Sequence, residues 1–333
     1  MIIFNSEIDI NLIWFCSISL FIITYIIIRA MPKYLSSIFG ECVANNKTSK
    51  FHEPMIRGIG IIFPIILVLS SIIWGSIFSE FEILIIFLST LIGFWDDKYF
   101  LKQKQKLFLF LFLGFVWSLY QVNLKNNDIN FFIELIAYNF IFVFIVLFFN
   151  QIDGINGLAT STFLICILFV ILTGVNLILL MPLIMTVLAY FVINMGGKIG
   201  IQGDAGSFFM GSFIAILLVK TIDWDKSGII FFILGPIIFD ICATTIIRVC
   251  FKVDLTIGHR NNLYQKLVSR YQSHIKVTFT FAITQILFGY FLLKLLQIES
   301  SYLLYSILLL FSSMFMLLFC FTAYLIHKEK ILK

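Results

Sequence analysis

The chain is apolar in runs, and the runs are as long as a membrane is thick. A helix needs about 20 predominantly apolar residues to cross a hydrocarbon core of roughly 30 Å, and such runs recur from one end of the sequence to the other. Breaks at charged, Gly and Pro residues place spans at 11–30, 58–78, 81–95, 105–122, 131–149, 157–175, 177–195, 207–222, 228–248, 277–297 and 302–326. The pattern predicts an all-α, polytopic integral membrane protein of about 11 transmembrane helices. With 61% hydrophobic and only 12% charged residues in 333, no soluble domain of useful size is left over, and one unit covering 1–333 is expected.

The first ten residues, MIIFNSEIDI, carry no Lys or Arg, so they lack the basic region of a cleavable signal and the first span is expected to stay. Six cysteines form no CxxC pair and fall mostly inside apolar runs, which argues for small packing residues rather than disulfides or zinc ligands. Threading the spans with the N-terminus outside puts every Lys and Arg except Lys125, Lys220, Lys226 and Lys294, of 23 in all, into loops on one face. The positive-inside bias makes that face cytoplasmic and predicts an N-out, C-in chain.

The same threading gathers the polar motifs on that face, in loops near 40–58, 96–106, 150–157, 196–207 and 249–276. In FWDDKYFLKQKQK, Asp96 and Asp97 sit at the mouth of the third span with Lys106 at the start of the fourth. Adjacent carboxylates repel unless a cation or proton relieves them; they form either a site for a divalent metal or cationic partner, or an acidic pair solvated among lysines. In NQIDGINGL, Asn150, Asp153 and Asn156 recur every third residue, which on a helical turn shares a face, although a polar interhelical turn reads the same way. GDAGSFFMG sets Asp204 directly before the eighth span. That carboxylate either caps the helix or supplies one ligand to Mg²⁺, an ion that keeps several waters and uses few protein carboxylates.

His259 and Arg260 in GHRNNLYQKL, and Arg57 in HEPMIRGIG, suit a diphosphate or equally an anionic lipid surface. Asp240 lies inside the ninth span, where a carboxylate must face protein or water. A structural pairing there is at least as good an account as a catalytic part.

Together these stretches resemble the polyprenyl-phosphate N-acetylhexosamine-1-phosphate transferase family, which includes the enzymes that initiate O-antigen and common-antigen synthesis and the phospho-MurNAc-pentapeptide transferase. Its DDxxxLxxxxK pattern is met by Asp96, Asp97, Leu101 and Lys106, and NxxDGxxGL by Asn150, Asp153, Gly154, Gly157 and Leu158. GDxGSxxxG is met by Gly203, Asp204, Gly206, Ser207 and Gly211, and a PxxRxGG-like element is approximated by Pro54, Arg57, Gly58 and Gly60. Two positions depart: Asn156 stands where many members have a second acidic residue, and Asn262 replaces the second histidine of an HRxHxYQ element.

The resemblance implies a Mg²⁺-dependent (or Mn²⁺-dependent) phosphoglycosyl transferase of the bacterial inner membrane. It would move N-acetylhexosamine 1-phosphate from a UDP-sugar to undecaprenyl phosphate, release UMP, and begin a cell-envelope glycan such as O-antigen, common antigen, teichoic acid or peptidoglycan. It implies Asn150 and Asp204 as metal ligands; Asp96, Asp97, Asp153 and His259 as catalytic residues; and Lys106, Arg57, Asn156 and Arg260 as substrate contacts. A homodimer is compatible with it. The rival reading is a transporter or flippase for lipid-linked sugars, but carriers place their binding groups near the bilayer midplane, and here Asp240 is the main ionisable residue away from one face.

Overall fold

The computed structural model describes residues 10–30, 41–42, 55–125, 131–196, 200–221, 224–250, 252, 260–295, 317 and 321. The helices in chain order are α1 (Ile10–Ala30), α2 (Ile62–Trp74, entered through a 3₁₀ turn at Ile59–Ile61), α3 (Glu80–Tyr99), α4 (Gln103–Lys125), α5 (Phe131–Ile152) and α6 (Leu158–Leu172). They continue as α7 (Met181–Gly196, after a 3₁₀ turn at Ile178–Leu180), α8 (Gly203–Thr221), α9 (Trp224–Cys250), α10 (Leu263–Tyr271) and α11 (His274–Leu295). Among the described residues seven helical stretches are long and apolar enough to cross a membrane: Ile10–Ala30, Gln103–Asn123, Phe131–Ile152, Ile178–Gly196, Gly203–Lys220, Ile233–Cys250 and His274–Lys294. The protein is therefore a multi-pass membrane protein. Ile59–Trp74 and Leu158–Leu172 are shorter apolar helices, and α3 carries Glu80, Glu82, Asp96, Asp97 and Lys98 at its two ends.

Each expected span from 11–30 to 277–297 meets one of these helices, while the span at 302–326, apart from 317 and 321, lies outside the described residues. Two elements were not expected. The loop at 249–276 contains α10, a short helix whose Leu263, Tyr264, Lys266 and Val268 are buried while Arg270 and Tyr271 stay exposed. A small sheet also joins β1 (Glu41–Cys42), β2 (Met55–Arg57) and β3 (Gly200–Ile201): β1 pairs with β2 antiparallel, and β2 with β3 in parallel, Arg57 opposite Ile201. The all-α expectation holds for the bulk of the chain, with this sheet as the exception. Strands of two or three residues carry no measurable alternation, so nothing in the sequence pattern marks them.

The packing centres on α8. Phe208, Phe209, Met210, Phe213, Ile214 and Leu217 are fully buried, and the helix packs most closely on α3 and α5. Between helices in lipid, water supplies no hydrophobic drive, so close van der Waals contact and small residues decide which faces meet. A Cβ on Gly60 would fall 2.2 Å from Gly206 Cα, one on Gly93 2.4 Å from the Asp204 carbonyl oxygen, and one on Gly211 2.5 Å from Val146 Cα. The glycines of GDAGSFFMG thus serve backbone contact along α8 as well as the turn that begins it. On the far side, Phe108, Phe112, Phe132, Ile136 and Phe140 point away from the core, as lipid-facing residues must.

Candidate active site

Adjacent residues on a helix point about 100° apart, so Asp96 and Asp97 in the last turn of α3 do not face each other. Of the readings open for the pair, cationic partners are what the structure shows: each carboxylate has its own cation. The Asp96 carboxylate pairs with Lys106 Nζ and accepts from the Leu101 backbone N–H at 2.7 Å. The chain reverses there through Phe100 in a left-handed conformation (φ 55°) and enters α4, which presents Lys106 in its first turn. Asp97 Oδ1 accepts from Arg57 Nε at 2.5 Å, and the Asp97 carboxylate also accepts from the backbone N–H groups of Asp204 (2.8 Å) and Ala205 (3.1 Å).

Asp97 therefore caps α8 from a different helix. The N–H groups that a substrate phosphate could have used at this helix start are taken by a protein carboxylate. Asp204, one residue into α8, completes the group: its Oδ1 lies 3.4 Å from Arg57 Nη2 and its Oδ2 3.2 Å from Lys106 Nζ. Arg57 is delivered by β2, whose pairing with β3 sets it three residues before Asp204 in register, and its guanidinium lies 5.7 Å from the Phe100 ring centre. Two cations thus bridge three carboxylates contributed by α3 and α8.

Asn150, at the end of α5, donates from Nδ2 to Ser207 Oγ at 3.2 Å, and Ser207 Oγ donates to the Asp204 carbonyl at 3.2 Å, so the first turn of α8 links Asn150 to Asp204. Asp153 follows in the turn after α5, close enough to Asp204 and Asp97 to feel both charges and beside the buried Gln202. Burial pushes its carboxyl well above the usual range, reinforced by Asp204 and Asp97. Burial and Asp204 likewise push Asp96 up to about 7 against the pull of Lys106, and Asp97 up to about 6 against Arg57 and its two backbone donors. Burial is the first cause for all three, and a surplus of carboxylates adds to it: Asp96, Asp97, Asp153 and Asp204 face Arg57 and Lys106, four against two, a formal −2 when all four are ionised.

That surplus is what a divalent cation would cancel, so the donor set fits one. Among the described residues no three His, Cys, Asp or Glu side chains form a ready-made cage. The fit is to an ion that takes one or two protein oxygens and completes its shell elsewhere. Asn150 meets Ser207 in α8's first turn, which Asp204 begins, so these two side chains, of Asn150 and Asp204, are the ones that would supply oxygens to such an ion.

The other expected residues are placed differently. Asn156 is fixed through its backbone, its N–H donating to His274 Nδ1 at 3.2 Å and its carbonyl accepting from Thr278 Oγ1 at 2.7 Å, which ties the turn to α11 rather than to the charged group. Arg260 is half-buried three residues before α10, and burial lowers its pKa. His259, with His52 and Pro54, lies outside the described residues.

Asp240 proves to be structural. Fully buried in α9, its carboxylate accepts from the backbone N–H groups of Leu263 (2.6 Å) and Tyr264 (3.1 Å) and so caps α10. Tyr264 Oη then donates to the Gln151 carbonyl at 2.6 Å, seating α10 on the turn that carries Asn150 and Asp153. Sequence reasoning missed this role because the capped N–H groups are more than 20 residues away along the chain. Asp240→Ala removes the acceptor from two buried donors, each worth about 1–3 kcal/mol when left unsatisfied. We expect a lowered melting temperature in detergent and faster backbone hydrogen exchange across 263–271, with Asp240→Asn intermediate.

Residues 81–222, which hold Asp96, Asp97, Lys106, Asn150, Asp153 and Asp204, match glycosyl transferase family 4. The chain is 30% identical over 190 residues to the phospho-N-acetylmuramoyl-pentapeptide-transferase of Streptococcus sanguinis (strain SK36), covering 48% of this chain and 58% of that protein. It is 26% identical over 277 residues to the probable undecaprenyl-phosphate N-acetylglucosaminyl 1-phosphate transferase of Bacillus subtilis (strain 168), covering 76% of each. The chain thus spans little more than half the length of the first relative and about three quarters of the second.

Proposed function

From the match of residues 81–222 to glycosyl transferase family 4, we propose that this protein transfers a sugar 1-phosphate from a UDP-N-acetylhexosamine to undecaprenyl phosphate. An oxygen of the lipid phosphate attacks the β-phosphorus, the bond between that phosphorus and the bridging oxygen breaks, and UMP leaves with the electron pair. The product is a sugar on a lipid diphosphate, held in the membrane as the start of an envelope glycan. The observation that carries this reading is the convergence of Arg57, Lys106, Asp96, Asp97 and Asp204 where α3 ends and α4 and α8 begin. We take that face to be cytoplasmic, where nucleotide sugars are found, in keeping with the basic loops.

Phosphoryl transfer asks little covalent chemistry of a protein; positioning and charge neutralisation do most of the work. A phosphate monoester has its second pKa near 6, so the attacking group is largely ionised at neutral pH and needs no strong base. Asp97, engaged by a guanidinium and two backbone donors, is assigned to holding the start of α8. Asp96, whose carboxylate pairs with Lys106 and lies within reach of Asp204, is assigned to the lipid phosphate and any proton it still carries. Lys106 and Arg57 neutralise the diphosphate oxygens, and His259 and Arg260 extend that positive surface. Asn150 and Asp204 would hold Mg²⁺, with Asp153 adjacent; when bound, the ion would offset charge on the nucleotide diphosphate.

The test uses purified protein in detergent with undecaprenyl phosphate and a panel of UDP-N-acetylhexosamines, following UMP and the mass of the lipid product. UMP release is expected with at least one sugar, to stop on chelation with EDTA and to return with Mg²⁺ or Mn²⁺. Absence of UMP with every sugar, or undiminished release after chelation, counts against the reading.

A further inference from the structure

The three helices that carry the charged group are also tied together at their other ends. Glu82, in the first turn of α3, is buried to 1% exposure. Its carboxylate accepts from the Ser79 backbone N–H (2.7 Å) and Ser79 Oγ (3.0 Å) in a capping box, accepts from Gln121 Nε2 of α4 (2.7 Å), and pairs with Lys220 Nζ of α8. Glu82 thus holds α4 and α8 to α3, as Asp96, Lys106 and Asp204 do at the site.

Counting along each helix at 1.5 Å per residue, Glu82 to Asp96, Lys106 to Gln121 and Asp204 to Lys220 are separations of about 21, 22 and 24 Å. Between those ends none of the three helices carries a charged residue: the intervening segments are ILIIFLSTLIGFW, LFLFLFLGFVWSLY and AGSFFMGSFIAILLV. At the site end the close approach of Gly93 to the start of α8 fixes α3 against α8; toward the other end the segments hold no charged group that does the same. Polar links there complete the constraint, and a pair built on a buried carboxylate is well suited to specifying register.

We propose that Glu82, with Lys220 and Gln121, is a positioning residue for the reaction, setting from the opposite end of the bundle the axial register in which α3, α4 and α8 present Asp96, Asp97, Lys106 and Asp204. This rests on the transferase reading for its catalytic consequence only. A displacement below 1 Å at the reacting groups is enough to slow a reaction that depends on alignment, since about 1 Å can cost 10²-fold.

The experiment compares Lys220→Met with Lys220→Arg. Lys220→Met leaves the Ser79 capping box intact and strips Glu82 of its cation; Lys220→Arg keeps a cation in place. For Lys220→Met the expected result is a kcat about tenfold lower, with KM for UDP-sugar and for undecaprenyl phosphate within about twofold of the parent. Backbone hydrogen exchange in the 203–207 peptide should also accelerate, because the Asp204 and Ala205 N–H groups donate to Asp97. Lys220→Arg should restore both. Unchanged kcat and unchanged exchange at 203–207 in a Lys220→Met protein that merely melts earlier would overturn the proposal. If the parent transfers no sugar at all, the function proposed above fails while the exchange measurement still decides this one. Should Lys220→Met not fold, Gln121→Leu severs the α4 link alone and is read in the same two ways.

Discussion

Asp204→Asn should lower turnover about 10²- to 10³-fold in a protein that inserts and folds like the parent. The carboxylate lies between the two cations, 3.2 Å from Lys106 Nζ and 3.4 Å from Arg57 Nη2, so it sets where both charges sit relative to a bound diphosphate. It is also one of the carboxylates that would be offered to a divalent ion. Asparagine keeps the shape and one acceptor oxygen. The cap on α8 is supplied by Asp97 to the backbone and survives the change. Kinetics of UMP release, with a melting curve on the same preparation, check this; activity within about threefold of the parent would remove Asp204 from the site.

Gly93→Ala tests the packing that places those charges. The added Cβ would lie 2.4 Å from the Asp204 carbonyl oxygen and 2.6 Å from Ala205 N. Both are backbone atoms at the capped start of α8 and cannot turn aside as a side chain can. Relief requires α3 and α8 to part, which separates Asp97 from the N–H groups it caps. Overpacking of this kind costs about 1–3 kcal/mol, and a shift near 1 Å at aligned reacting groups costs about 10²-fold in rate. We expect both a lower melting temperature and that order of loss in kcat. Gly196→Ala is the control: a Cβ there meets nothing within 4 Å, and neither quantity should move.

How far the sequence reaches is clearest where it stops. Ten apolar runs foretold ten helices because length and hydropathy are local properties, and Asp96, Asp97, Lys106 and Asp204, which the structure brings together, were legible as candidates because charges at the ends of greasy spans are conspicuous. Their pairing was not legible. That Asp97 would cap α8 depends on α3 lying against α8, over 100 residues later, through Gly93. Arg57 could be named, but the strand pairing with Gly200–Ile201 that delivers it involves too few residues to show a period. Asp240 looked equally like a catalytic or a structural group until its partners, the N–H groups of Leu263 and Tyr264, were found on a helix whose nine residues, rich in polar side chains, resemble a loop. Nothing in the sequence marks Glu82, because its partners are one on each of two other helices.

The most direct measurement follows the two phosphorus atoms of the donor separately. With UDP-sugar labelled in the β-phosphate, the account predicts that label enters the undecaprenyl product in step with UMP release. With label in the α-phosphate it predicts that all of it stays in UMP. Label from the α-phosphate in the lipid, or β-label released as free phosphate or as UDP, would contradict attack of a lipid phosphate on the β-phosphorus and with it the assignment of this site.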